Sequence, residues 1–427
     1  MKVNRDLKHY TISIDAIQAL AANNLNRDSN GSPKTVDYGN VRRARVSSQS
    51  WKRAMREWME EHLDTDTGIR TLNVPQLIVD EIMSRDIQGM TEENAIELTD
   101  KALSLAGISH QQNKKNGRDQ TTALFFIGSQ QVRNLVDAVL DNDISEKDRA
   151  ILAAEAVKSD TPLGAALFGK MVATKPELNV DAAAQVAHPF GVSRAVPQFD
   201  YFTALDDYGL EDHAGAAMIQ DNEFSTSVLY RHAAISLTQL EKNLGNKNAV
   251  EDAVKKFVEA FIKSIPSGKQ NGFTTHSLPD IVVVSIYDDG DHDLASAFVK
   301  PVESTNLVVD AIDRMVSYAE AQHKAYDVVP VASYVVTTGE TDSASKLGEV
   351  VSLSELVSLV GDKTKQLVDD SSDTADAVAD NEDAVEDADH NSDAIAEDGI
   401  HVNATSDEDY NLPEDGESRS DLSGGLF

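Results

Sequence analysis

Between Asn40 and Arg56 the sequence reads NVRRARVSSQSWKRAMR, with six Lys/Arg residues and no acid. The chain as a whole has 427 residues and a formal net charge of -34. Arginine forks match phosphate oxygens two at a time. Backbone N–H groups and serine hydroxyls at a helix start add neutral donors and a favourable dipole. The same residues also describe an ordinary helix cap with a solvated cationic face. Arg42, Arg43 and Arg45 precede the cap, and Lys52, Arg53 and Arg56 follow it. Cations therefore flank the helix start on both sides, which points to a polyanion site.

The other stretches with chemical potential are weaker. GAALFGKM, Gly164 to Met171, nearly matches the phosphate loop G-x-x-x-x-G-K-[ST], but Met171 replaces the hydroxyl that would hold Mg²⁺. A buried helix ending near Gly169 is the competing reading. DTDTG, from Asp64, and DDGDHD, from Asp288, lack the full calcium-loop pattern and read as acidic turns. His110, His188, His232 and His276 stand in no metal spacing and read as packed or surface histidines. Phe199, Tyr201 and Phe202, in QFDYFTALDDYG, suit either core packing or stacking on unpaired bases.

These residues need elements to position them. HYTISIDAI, His9 to Ile17, alternates and reads as a strand with Tyr10, Ile12, Ile14 and Ala16 on one face. SSQSWKRAMREWMEEHL reads as a helix with Trp51, Ala54, Met55, Trp58, Met59 and Leu63 along one stripe, capped by one of its serines. From about Gly68 to Ala187 the periodicity is mostly helical. Strand signals return in TSVLYRHAAISL, DIVVVSIYD and VPVASYVVTTG, separated by two amphipathic helices. The order suggests a split α+β sheet of ferredoxin-like type with a large helical insertion.

Composition narrows the class. There is no cysteine, which excludes disulfides, cysteine metal sites and thiol nucleophiles. The start carries no signal-peptide pattern, and no stretch of about 18 apolar residues suggests a membrane span. A cytoplasmic protein without a membrane partner is the expectation. Residues 369–427 hold 20 Asp/Glu and one Arg, a net of -19, which leaves -15 on the rest. That tail is expected to be disordered, as a solubilising segment or as a leash for its GGLF end. An acidic exterior around a basic track would restrain indiscriminate nucleic-acid binding.

LNRDSNGSPKTVDYGNVRRARVSSQSWKRAMR strongly resembles the start of the CasC-type backbone subunit of Cascade, the type I-E CRISPR surveillance complex. ALFGKM, DYFTALDDY, EFSTSVLYRHAAISLTQLEKNLG and PDIVVVSIYD follow in that family's order, over about residues 8 to 365. The resemblance implies an RNA-recognition (ferredoxin-like) palm in 1–67 and 226–368, helical fingers in 68–190 and a thumb hairpin in 191–225. It implies a non-catalytic subunit without cofactor or metal. Copies would polymerise along CRISPR RNA, beside other Cascade subunits, kinking the guide at intervals and presenting it to target DNA. By the same resemblance, Asn26, Arg27, Arg43, Arg45, Ser47, Gln49, Lys52, Arg53 and Arg56 would lie along the RNA backbone. Met171 on the fingers would pack near the kinked nucleotide, Phe202 and Thr203 would belong to the thumb, and Lys170 beside Met171 is a further candidate RNA contact. Such phosphate contacts position RNA without reading its sequence. Two departures stand out. No RNA-recognition signature of the K/R-G-F/Y class is present, and SEKDRAILAAEAVKSD offers few cations for DNA capture. Type III relatives cleave RNA with a loop aspartate, so the alternative is a metal-dependent endonuclease using Asp28.

Overall fold

A computed structural model describes residues 9–114, 119–172, 175–204, 218–339 and 342–386. The chain divides into residues 1–375 and residues 376–427. In the second unit, residues up to Glu386 are helical.

In the first unit, strands β1 (Thr11–Asn23), β2 (Thr35–Tyr38) and β3 (Val41–Ala44) precede helix α1 (Ser48–Leu63). A helical section follows: β4 (Ile69–Thr71), α2 (Val74–Ser84), α3 (Glu92–Leu105), β5 (His110–Gln112), β6 (Asp119–Thr121), β7 (Phe125–Ile127), α4 (Ser129–Leu140), α5 (Glu146–Ala156) and α6 (Leu163–Phe168). Next come β8 (Ala184–Val186), β9 (Phe190–Gly191), β10 (Gln198–Ala204), β11 (Met218–Ser236), α7 (Leu237–Leu244), α8 (Asn248–Lys263) and α9 (Gln270–Phe273). The chain continues through β12 (Ile281–Tyr287), α10 (Leu307–Tyr326), β13 (Ala332–Thr337), β14 (Glu349–Val350) and α11 (Leu353–Glu386).

The main sheet runs β10-β11-β1-β12-β13-β14, with β8 and β9 also pairing with β11. Its pairs are antiparallel except β13 with β14, so the fold is mixed α+β. β1 pairs with β11 on one side and β12 on the other, and its two faces bury different cores. Ile12, Ile14 and Ala16 join Trp51 and Met55 of α1, Phe257 and Phe261 of α8, and Leu356 and Val360 of α11. Ile17 turns to the opposite face with Val228, Val283 and Met315 of α10. The period-2 pattern of β1 thus separates two helical layers. β12 is buried at every position, as its branched residues require with cover on both faces.

A ferredoxin-like chain follows β-α-β-β-α-β. Here β1, β11, β12 and β13 are each separated by at least one helix. The split crossover is kept, since β11 and β12 flank β1.

The helical section has its own apolar cluster, built on Val74, Ile78 and Ile82 of α2, Leu103 of α3, and Leu135 and Val136 of α4. Its short strands escaped the periodicity reading because three residues hold too little alternation. Two expected boundaries shift. β11 runs unbroken across the palm–thumb division expected at 225/226. Helix α11 continues past 369, so the start of the acidic tail is helical rather than disordered. The GGLF end lies outside the described residues. Among the described residues, no helix is long and apolar enough to cross a membrane.

Candidate nucleic-acid interface

The basic stretch begins in a tight hairpin. β2 and β3 pair from Thr35↔Ala44 to Tyr38↔Val41, leaving Gly39 and Asn40 at the tip with φ of 62° and 60°. Two positive φ angles mark a turn of type I′ character. Gly39 has a second reason to be glycine: a Cβ there would sit 1.7 Å from the Val299 carbonyl oxygen.

Arg43 in the hairpin and Arg45 just beyond it are placed differently. Arg43, expected on the phosphate track, is fully buried. Its guanidinium donates to the carbonyls of Gly191 (3.1 Å), Val192 (2.7 Å) and Phe298 (3.1 Å). It is an internal strut, because a buried guanidinium keeps its charge only where acceptors such as these replace water. Arg45 stays half-exposed, with its backbone N–H donating to Lys34 O at 2.9 Å.

Helix α1 starts as the cap residues predict, but with partners invisible in local sequence. Ser47 is the N-cap, and its Oγ accepts from Ser50 N at 3.3 Å. Ser47 N donates to Asn26 Oδ1 at 2.9 Å, and Ser48 N donates to His188 Nδ1 at 2.8 Å. The amides of Ser47, Ser48 and Ser50 are therefore spent on protein acceptors. Ser47 is buried and Asn26 half-buried, both serving the helix start rather than offering donors outward. What faces outward is side-chain charge. Gln49 and Arg27 are exposed.

Beyond the cap, Lys52 Nζ lies 5.8 Å from the Phe168 ring centre, and burial lowers its pKa. Arg53 is exposed and donates to Glu57 Oε1 at 2.6 Å. Arg56 stacks near Phe126 at 5.7 Å; burial, then Arg70, pulls its pKa down. The opposite face of α1 buries Trp51, Ala54, Met55 and Met59. Arg231 lies under that face, sandwiched between Trp51 (3.9 Å) and Phe261 (4.3 Å), and donates to Gln18 Oε1 at 2.7 Å.

The fingers residues part company. Met171 is 81% exposed, whereas Lys170 is buried with Nζ 5.0 Å from the Phe125 ring centre. Burial lowers the Lys170 pKa to about 8. Lys170, expected as an RNA contact, is instead turned inward. The stretch before it is helix α6, not a loop, and a Cβ on Gly164 would sit 2.3 Å from the Thr67 carbonyl oxygen. A helix packed this tightly cannot cradle phosphates as the phosphate-loop pattern requires. On β10, Phe199 and Tyr201 are 69% and 62% exposed, and Phe202 is 36% exposed. Thr203 pairs with Ile219 in the ladder.

Two acidic groupings complete the picture. Asp28 Oδ1 accepts from Asn30 N (2.8 Å) and Ser32 N (3.0 Å), closing its own loop. Asp100, His110 and Asp119 are the one group of three among the described residues that could hold a metal ion. His110 Nδ1 lies 3.8 Å from Asp100 and 3.9 Å from Asp119, beside a cavity of about 560 Å³.

Two of the histidines read as packed or surface residues make tertiary contacts that the sequence does not show. His188, read as ordinary, organises the helix start from 140 residues away. His232, buried, bridges Asp15 Oδ1 and Asp291 Oδ2 at 3.0 Å each. No spacing signal could reveal either, since both act across tertiary contacts.

A family profile described as "CT1975-like protein" (Cas_CT1975) matches residues 12–359. A search of curated proteins gave no match. Two solved chains are similar over 82% of this chain. One, from a structure described as "CRISPR RNA-guided surveillance complex, pre-nicking", is 29% identical, is covered over 100% of its length and gives a TM-score of 0.70. The other, from a "CRISPR RNA-guided surveillance complex", is 26% identical, is covered over 99% of its length and gives 0.60. With most of its length matched by the profile, the chain belongs to the CT1975-like family of Cas proteins.

Proposed function

We propose that this chain is a CRISPR RNA-binding backbone subunit of a type I-E Cascade, working in the cytoplasm as a non-catalytic scaffold. The main sheet serves as its palm, the helical section as its fingers and β10 with β11 as its thumb. Copies contact one another head to tail, which makes an open filament along the guide. Each copy holds the RNA backbone and leaves bases free to pair with target DNA. Met171 or Phe202, both apolar and exposed, wedges one nucleotide out of the stack per repeat.

The observation that carries this reading is the cationic surface around the start of α1, in a chain of net charge -34 whose fold matches subunits of RNA-guided complexes. Arg27, Arg45, Gln49, Lys52, Arg53 and Arg56 form it. The experiment is extraction of nucleic acid from the protein purified out of cells carrying a CRISPR array. Small RNA of uniform length is expected. Lys52→Ala with Arg53→Ala should release it at moderate salt. Unchanged retention in the double variant would refute the phosphate role.

A further inference from the structure

His188 sits where α1 begins, and its two ring nitrogens do different things. Ser48 N–H donates to Nδ1 at 2.8 Å, so Nδ1 carries a lone pair and no proton. In a neutral imidazole the proton then resides on Nε2. Arg45 Nη2 lies 3.3 Å from that Nε2. A guanidinium has no acceptor atom, so this contact is not a hydrogen bond between the two groups. Two N–H donors stand side by side with no acceptor between them.

The ring is kept neutral by its surroundings. Burial lowers the His188 pKa, and the charges of Arg45, Lys34 and Lys52 lower it further. Those same charges show that three cations gather around one imidazole. The arrangement is also held in place. Val46 N donates to Pro189 O at 3.0 Å, and Arg45 bridges to Phe190, so the chain beside His188 is zipped to the chain that carries Arg45.

Paired donors inside a cationic ring call for an anionic oxygen. We propose that His188 Nε2–H and Arg45 Nη2–H together clamp one phosphate oxygen of the RNA, which makes His188 a binding residue of the interface. This rests on the RNA-binding reading above. The clamp also links two tasks, since the nitrogen that fixes the start of α1 determines that the other nitrogen is a donor.

Two substitutions separate those tasks. His188→Asn keeps an acceptor near the Nδ1 position and removes the outer donor. His188→Gln keeps a donor near the Nε2 position and removes the inner acceptor. Binding of a single-stranded RNA oligonucleotide to the full chain, across a salt series, reads both. His188→Asn should bind about tenfold more weakly at every salt concentration, the low end for a hydrogen bond to a charged group. Its salt slope should stay that of the wild type, because a neutral ring releases no counterion. Arg45→Ala should lose affinity and also reduce the slope by about 1. His188→Gln should retain more affinity than His188→Asn while melting at a lower temperature.

Wild-type affinity in His188→Asn with an unchanged melting temperature would overturn the clamp and leave the RNA-binding reading standing. Affinity lost only in step with melting temperature in both variants would also overturn it, making His188 a strut. Inorganic phosphate titrated onto the RNA-free chain should shift the His188 Nε2 resonance, and no shift would refute the clamp. A phosphate shift with RNA affinity unaffected by His188→Asn would assign the pair to free phosphate and overturn the guide contact. A wild-type chain that binds no RNA would overturn the RNA-binding reading itself.

Discussion

At the scale of single residues, identical side chains in one basic run have opposite fates. Arg43 faces inward because the carbonyls of Gly191, Val192 and Phe298 accept from its guanidinium. Arg43→Ala should destabilise the fold by on the order of 3 kcal/mol, since it removes a charged donor from buried carbonyls and empties the space its side chain fills. Arg43→Lys should not restore it, because one ammonium cannot span the fork's contacts. Thermal melting against Lys52→Ala, which should melt like the wild type, checks this. Lys170 gives a second residue-scale test. Folding lowers its pKa to about 8 from 10.5. Between those values the unfolded chain binds the proton and the folded chain does not, so this group makes stability rise with pH across that window. Lys170→Met should remove that rise, as read from urea midpoints across the window.

At the scale of elements, the strands of the sheet are tied by a buried polar network. Asp15 on β1 stands opposite His232 on β11 in register. Asp15 Oδ1 also accepts from Tyr230 Oη at 2.5 Å, and Ser13 Oγ donates to Asp291 Oδ1 at 2.6 Å. Burial alone would lower the His232 pKa, but Asp15 and Asp291 outweigh it and raise it to about 10. Its contribution to stability is complete below the ordinary histidine value of 6.5 and is lost as pH rises to about 10. His232→Phe should abolish that loss and cost about 3 kcal/mol at neutral pH, because it leaves the buried Asp15 carboxylate without its cation. Denaturant titrations of the two proteins across that range decide it. Helix α1 depends on the sheet in the same way, with Trp51 resting on Arg231 of β11.

At the scale of the whole molecule, charge is partitioned rather than balanced. Residues 369–427 carry a net of -19, more than half of the total. If this segment only solubilises the protein, removing residues 387–427 should leave RNA retention and assembly unchanged and lower solubility at high protein concentration. Tighter RNA binding in the truncated chain would instead show the acids competing for the cationic surface. Measuring RNA affinity at two salt concentrations separates these outcomes, since competition between charges fades with screening.

Much of the architecture was legible in the chain itself. Alternation in HYTISIDAI located β1 and its inner face, and the Trp51–Met55–Met59 stripe located the buried side of α1. Both signals are periodic, and periodicity is a local property of the chain. Ser47 as N-cap was among the serines expected there. Tertiary structure alone decided which of the candidate cations face solvent. Arg43 and Lys170 turned inward because carbonyls and an aromatic ring from distant segments await them. His188 joined the helix start because residues 189 and 190 pair with 45 and 46. Composition determines how much charge the chain carries, but a charged side chain goes where its partners are, and those partners come from elsewhere in the sequence.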